Sequence, residues 1–214
     1  MAFQGWSDVA VDFFDGLEED NSKAYWTSHK AIYEAEVKQP MESLVEELSP
    51  EFGPGKIFRP YRDVRFSADK SPYKTAIAAT VGDAGYVQVS AAGLAVGSGM
   101  YMMSPDQLHR FRSRLASDPQ GAELVRLVAH ARAAGWDITA HDSVKSAPRG
   151  YAKDHPRIDL LRLKGCIAWK QWPVEPWLAT PKAAGRIAAF FRDTAGLNRW
   201  LDDYVGPAQP TPTD

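Results

Sequence analysis

Five cations stand within RPYRDVRFSADKSPYK, residues 59–74: Arg59, Arg62, Arg65, Lys70 and Lys74, against only Asp63 and Asp69. Tyr61, Phe66 and Tyr73 are threaded between them. A guanidinium donates through a planar fork that matches a carboxylate or a phosphate. A carboxylate set between two arginines can orient both forks. Read as an extended segment, residues 59–66 alternate in direction, so Arg59, Tyr61, Asp63 and Arg65 share one face. Arg62, Val64 and Phe66 share the other. Arg59 and Arg65 would then flank Asp63. Such a group suits an anionic small molecule: a phosphate, a nucleotide or a carboxylate. Arg59, Arg62 and Arg65 would hold its charge, Asp63 would orient them, and Lys70, Tyr73 and Lys74 would close the site. The competing reading is an Arg–Asp network that ties strands to helices without any ligand.

A second basic island repeats the theme. Residues 148–165 carry Arg149, Lys153, Arg157, Arg162 and Lys164 against Asp154 and Asp159. Arg149-Gly150-Tyr151 and His155-Pro156-Arg157 read as loops by their glycine and proline. Asp154 is expected to cap a short helix with Pro156 in its first turn, whose N-terminal amides would favour an anion. Arg149 and Arg157 therefore join the ligand-binding candidates. If chemistry occurs, Tyr73 or His155 is the candidate general acid, with the arginines stabilising developing charge. That chemistry would need no metal and no cofactor. The five histidines form no His-Glu-x-x-His or His-x-His spacing, and the lone Cys166 provides no thiolate cluster. Gly93-Leu-Ala-Val-Gly97-Ser-Gly99 is neither a P-loop nor a dinucleotide fingerprint, because no Gly-Lys-Ser/Thr follows and no helix opens there. Glycines within a strand more often mark a bulge or a close backbone approach.

Two other classes compete with the anion site. Basic residues interleaved with aromatics can track a nucleic-acid backbone and stack bases. The formal net charge of −2 speaks against a strong non-specific field for that partner. Trp169, Trp172 and Trp177 could form an aromatic protein-interaction surface, although core packing is the simpler assignment. The sequence selects neither the ligand nor the oligomeric state, and it leaves turnover undecided.

The elements that must position these residues follow from periodicity. DNSKAYWTSHKAIYEAEVKQPMESLVEEL repeats apolar residues at steps of three and four, from Tyr25 and Trp26 to Leu48. Asp20 or Asn21 would cap this helix, and Pro40 would kink or restart it. A shorter helix is expected over residues 6–17. In YKTAIAATV, Tyr73, Thr75, Ile77, Ala79 and Val81 alternate onto one face. Strands over 86–91 and 94–103 follow, turning near Ala92-Gly93. Ser104-Pro105-Asp106-Gln107, Asp118-Pro119 and Thr180-Pro181 each open a helix, with Gly196 a point at which the last could break. CIAWKQW is one more strand. The order predicts an α+β chain, a mainly antiparallel sheet flanked by helices, as a single domain over residues 1–206. Residues 207–214 would form a polar, disordered tail.

Composition agrees with a globular class. Charge is uneven: residues 1–50 hold three lysines and eleven acids, a net of −8, while each basic island nets +3. The opening segment has no basic n-region, and no stretch reaches the roughly 18 apolar residues of a membrane span. A cytoplasmic protein without a membrane partner is the expectation.

The motif of residues 59–74 resembles the signature of a bacterial family of unknown function whose members are a little over 200 residues long. Its pattern, Arg-x-x-Arg-Asp-x-Arg-Phe with a following acidic-Lys pair and a tyrosine, falls here on Arg59, Arg62, Asp63, Arg65, Phe66, Asp69, Lys70 and Tyr73. Trp26 with His29, Lys30 and Tyr33 is similar to a second familial block, and so are Gly97-Ser98-Gly99-Met100-Tyr101 and Pro148-Arg149-Gly150-Tyr151 with His155-Pro156-Arg157. Members often carry a third glycine where this chain has Ser98. The resemblance spans about residues 3–205 and implies no activity.

Overall fold

The computed structural model describes residues 2–83 and 85–209. It is an α+β fold in which helices flank an antiparallel sheet. Six strands take the order β1-β2-β3-β4-β6-β5, with β1 Gly55–Ile57, β2 Ala76–Val81, β3 Gly85–Ser90, β4 Gly93–Met100, β5 Asp137–Thr139 and β6 Cys166–Trp172. Two compact units divide the chain: residues 1–96 with 171–190, and residues 97–170 with 191–214.

In the first unit, α1 (Asp8–Glu19) and α2 (Lys23–Ile32) lead into α3 (Gln39–Phe52). Ser22, rather than Asp20 or Asn21, caps α2, its hydroxyl accepting from the Tyr25 N–H at 3.1 Å. Pro40 falls in the first turn of α3, as a restart requires, although helical hydrogen bonding runs on into it from α2. It lacks the N–H that would serve the Glu36 carbonyl, and its ring crowds that carbonyl. The chain widens just before it into a π-helical stretch, Tyr33–Lys38, where the Gln39 N–H reaches back five residues to the Glu34 carbonyl. The Trp6 indole donates to the Val37 carbonyl within that stretch. Helices α1 and α3 contact the sheet at β3 and at β1 and β2. In the core of this unit, Phe13, Phe14, Leu17, Met41 and Leu44 are buried on the helices, and Ile77, Ala79, Val81, Val87 and Val89 on the strands.

Tyr33 is buried in this core, 4 % exposed. Burial foremost, then the charges of Glu34 and Glu42 and the nearby Tyr61, push its phenol from the usual 10.0 up to about 12. The folded chain therefore holds this proton more tightly than the unfolded chain. The resulting stabilisation is complete below about pH 10 and is lost as pH climbs through about 12. Two pK units correspond to roughly 2–3 kcal/mol. In denaturant titrations, Tyr33→Phe should shallow the alkaline fall in stability; an unchanged fall would assign it to other phenols.

The second unit contains α4 (Pro105–Ala116), α5 (Gln120–Ala133), the one-turn α6 (Ile158–Leu161) and the C-terminal half of α7 (Lys182–Tyr204). The capping box at Ser104 and Gln107 forms as its sequence signature predicts. Helix α7 runs unbroken past Gly196. Phe111, Leu115, Leu124, Val128, Leu161 and Trp200 are buried, with the Phe111 and Trp200 rings edge to face. Cys166 is a fully buried, small core residue, and burial pushes its thiol up to about 12. Residues 207–209 fall in the expected tail but are tied to α4, through Arg110 to the Pro207 carbonyl and Asp106 to the Gln209 N–H. Residues 210–214 lie outside the described residues. Among the described residues no helix is long and apolar enough to cross a membrane.

Candidate functional site

The stretch at residues 59–74 belongs to the first unit, in the connection between β1 and β2. It is not extended over residues 59–66. The chain pairs Tyr61 with Tyr73 in an isolated antiparallel bridge and loops out between them. The Arg62 N–H donates to the Pro72 carbonyl at 2.9 Å, and the Lys74 N–H to the Pro60 carbonyl at 2.8 Å. These bonds close the base of the loop.

Within the loop, each aspartate takes one arginine. Asp63 does not sit between Arg59 and Arg65, as alternation would require. The chain turns after it, so the Arg65 N–H and both ends of the Arg65 fork donate to the same carboxylate, Nε at 2.9 Å and Nη2 at 2.7 Å. Arg65 chiefly, with Arg59 only as a more distant charge, holds the Asp63 carboxyl below its usual range. Asp69 accepts from Arg62 Nη1, from the Ser71 N–H at 2.9 Å and from the Ser71 hydroxyl at 2.6 Å. Ser71 first and Arg62 next hold Asp69 far below the ordinary carboxylate range. Lys70 donates to the Val64 carbonyl at 3.0 Å. Phe66 is 96 % exposed, with the Arg65 guanidinium 5.9 Å from its ring centroid. That bare ring is the feature of the loop best suited to stacking on a base.

Beneath the loop the aromatic residues hold position. Tyr73, 6 % exposed, lies flat on Trp26 with ring centroids 4.3 Å apart and planes 6° from parallel. Tyr33 and Tyr61 complete the cluster around Trp26. Asn21, just past the end of α1, grips the backbone of Tyr73 as a strand would. Its Oδ1 accepts from the Tyr73 N–H at 2.9 Å, and its Nδ2 donates to the Tyr73 carbonyl at 3.1 Å.

A cleft of about 680 Å³ opens beside this loop, lined among others by Glu18, Arg62, Lys74, Thr75, Tyr86 and Gln88. Its floor follows from strand alternation. Ile77, Ala79, Val81, Val87 and Val89 point into the core, so Ala76, Ala78, Tyr86 and Gln88 point the other way. Ala78 pairs with Gln88 across β2 and β3. The alanines are too small to fill their side of the sheet, and space remains above them. Phe58 forms a wall, with the Lys74 ammonium 5.6 Å from its ring centroid.

Of the residues expected to bind a ligand, Arg62, Tyr73 and Lys74 line this cleft, and Arg59, Asp63, Arg65 and Lys70 do not. Burial first, and the nearby Tyr61 next, raise the Tyr73 phenol above its usual value, so it holds its proton more firmly still. Glu18, Asn21, Thr75, Tyr86 and Gln88 were missed by motif reading. The outward-facing residues of the alternating strand Tyr86–Ser90 were the one available signal for Tyr86 and Gln88.

The second island belongs to the second unit. Asp154 and Pro156 precede α6 rather than starting it, and Arg157 occupies its N-cap position, because successive turns through His155 delay the helix to Ile158. Arg157 is spent on the chain, donating to the Leu115 carbonyl at 3.0 Å and pairing with Asp118. The His155 Nδ1 accepts from the Arg157 N–H at 3.0 Å. Arg149 is exposed beside Gly150, whose φ of +91° permits the turn. The glycine-rich strand makes a close approach. A Cβ on Gly97 would lie 2.9 Å from the Trp169 ring, and one on Gly99 would lie 2.3 Å from the Cys166 carbonyl oxygen. Ser98 between them is buried, and its hydroxyl donates to Asn198. Among the described residues no group of three or more His, Cys, Asp or Glu side chains is placed to hold a metal ion.

No curated protein and no solved structure matches this chain. A family model does, and its span takes in Trp26, the whole 59–74 loop with its cleft, and the second island. Matched over residues 9–200, the chain belongs to the family described as conserved hypothetical protein (DUF2461).

Proposed function

We propose that the cleft beside the 62–72 loop binds a small molecule bearing an anionic group. The observation that carries this reading is a set of unspent donors on one surface. Among the described residues, Lys74 Nζ has no carboxylate within ion-pairing distance, and neither the Thr75 hydroxyl nor the Gln88 amide nitrogen donates to a protein acceptor. The Gln88 oxygen is taken by the Tyr86 hydroxyl at 2.5 Å, which turns the NH₂ group outward. Arg62 commits Nη1 to Asp69 and retains its other nitrogens. Cations held by a rigid wall and surrounded by neutral donors are an arrangement suited to a carboxylate or phosphate. The volume falls within the ~300–1,000 Å³ of small-molecule sites.

The test is a thermal-shift and calorimetric screen of inorganic phosphate, nucleotides and carboxylic acids. It compares wild type with Lys74→Met, which keeps the apolar stem, and Ala78→Trp, which fills the floor. A true ligand should lose about tenfold or more in affinity in both variants, the loss of one charge-assisted bond being worth ~1.5–3 kcal/mol. A ligand bound equally by all three proteins would place the site elsewhere.

A further inference from the structure

Building on that reading of the cleft, we infer that its ligand is a zwitterion, a molecule of the α-amino-acid class that carries an ammonium as well as a carboxylate. Four formal charges line the cleft: Arg62, Lys74, Glu18 and Asp69. Asp69 is already saturated by Arg62 and by both donors of Ser71. The two charges of that pair offset each other, so it adds little net charge even though Arg62 keeps free donors. What remains is one ammonium, Lys74, and one carboxylate, Glu18, neither with a charged partner among the described residues.

The Asn21 clamp explains how they come to share a surface. Glu18 lies near the end of α1, and Asn21 follows that end and holds the backbone of Tyr73, the residue before Lys74. One grip therefore brings the acid of a helix and the base of the β1–β2 connection to the same cleft. A multiply charged phosphate would meet the Glu18 carboxylate as well as the Lys74 ammonium, and juxtaposed like charges oppose binding. A ligand with both signs satisfies both groups. Its carboxylate would meet Lys74 with the Gln88 and Thr75 donors, its ammonium would meet Glu18, and its side chain would lie over Ala76, Ala78 and Phe58.

The experiment titrates the wild-type chain with the common L-α-amino acids. Each is compared with its des-amino acid and its decarboxylated amine, and inorganic phosphate is run alongside. The expected result is an amino acid that binds about tenfold or more tightly than either counterpart. Glu18→Gln should lower affinity for that amino acid while raising affinity for its des-amino acid, because the ammonium loses its partner and the lone carboxylate loses a like charge. Lys74→Met should weaken both. Glu18 is exposed, so its variant should fold, which circular dichroism would verify. Des-amino acids or phosphate binding as tightly as amino acids, with Glu18→Gln indifferent, would overturn the zwitterion and leave a plain anion site. If nothing in any series binds the wild type, the zwitterion falls, and the anion reading stands or falls with the screen of nucleotides and carboxylic acids.

Discussion

Replacing Trp26 by alanine is expected to lower folding stability by about 3–5 kcal/mol, the range for removing a large buried aromatic. The ring is 5 % exposed and is the hub of its cluster. It stacks on Tyr73, tilts against Tyr33 at 4.8 Å, meets Phe13 edge to face at 6.0 Å and reaches Tyr61 at 6.1 Å. Few of these partners can move into the space. Tyr33 and Phe13 are fixed in helical segments, and Tyr73 is pinned by its backbone. Trp26→Phe should recover part of the loss, since a smaller ring keeps part of the stack. Urea unfolding midpoints would measure both variants. A cost below about 1 kcal/mol for the alanine variant would mean that the neighbours collapse into the hole, as the spread among core truncations allows. Under the ligand reading proposed above, the same variant should also weaken binding, because Tyr73 would lose the surface that holds its ring against the cleft.

Asn21→Leu comes second, with an expected loss of about 2–4 kcal/mol for stranding partly buried backbone groups. The amide satisfies three of them: the Tyr73 N–H, the Tyr73 carbonyl and the Leu17 carbonyl at the end of α1. Leucine matches the volume and offers nothing to any of them. Aspartate is not a rescue. It retains an acceptor for the N–H but aims its other oxygen at two carbonyls, so Asn21→Asp should be impaired as well. Amide hydrogen exchange at Tyr73 gives a local readout, expected to accelerate in both variants. Unchanged protection at Tyr73 in Asn21→Leu would mean that the Asn21 side chain is not what shields this N–H, since the bridge bonds start from Arg62 and Lys74.

Both effects arise at positions that the motif left unmarked or half-marked. The sequence made the polarity of residues 59–74 plain, and a loop built around Arg–Asp pairs is present. What it did not disclose was the partner of each charge. Alternation put Asp63 on one face with both Arg59 and Arg65, but it did not say that the carboxylate would take the whole Arg65 fork instead of sharing itself between the two.

By itself, the sequence determined the α+β class, the long β2–β4 meander, the capped start of α4 and the whole of β6. Each of these rests on local physics: strand alternation, a capping box, or a bounded apolar run. Tertiary structure decided the rest. The three-residue strands β1 and β5 are too short to show a period, and pairing alone defines them. The π-helical stretch answers Pro40 by shifting hydrogen bonds rather than by a break that sequence would mark. The cleft depended most on long-range contact. Glu18 and Asn21 come from the helical start, Lys74 from the edge of the motif and Gln88 from the next strand. Asn21 joins the helical start to Tyr73, 52 residues away, and β2–β3 pairing brings in Gln88; no spacing rule within a single segment reaches that far.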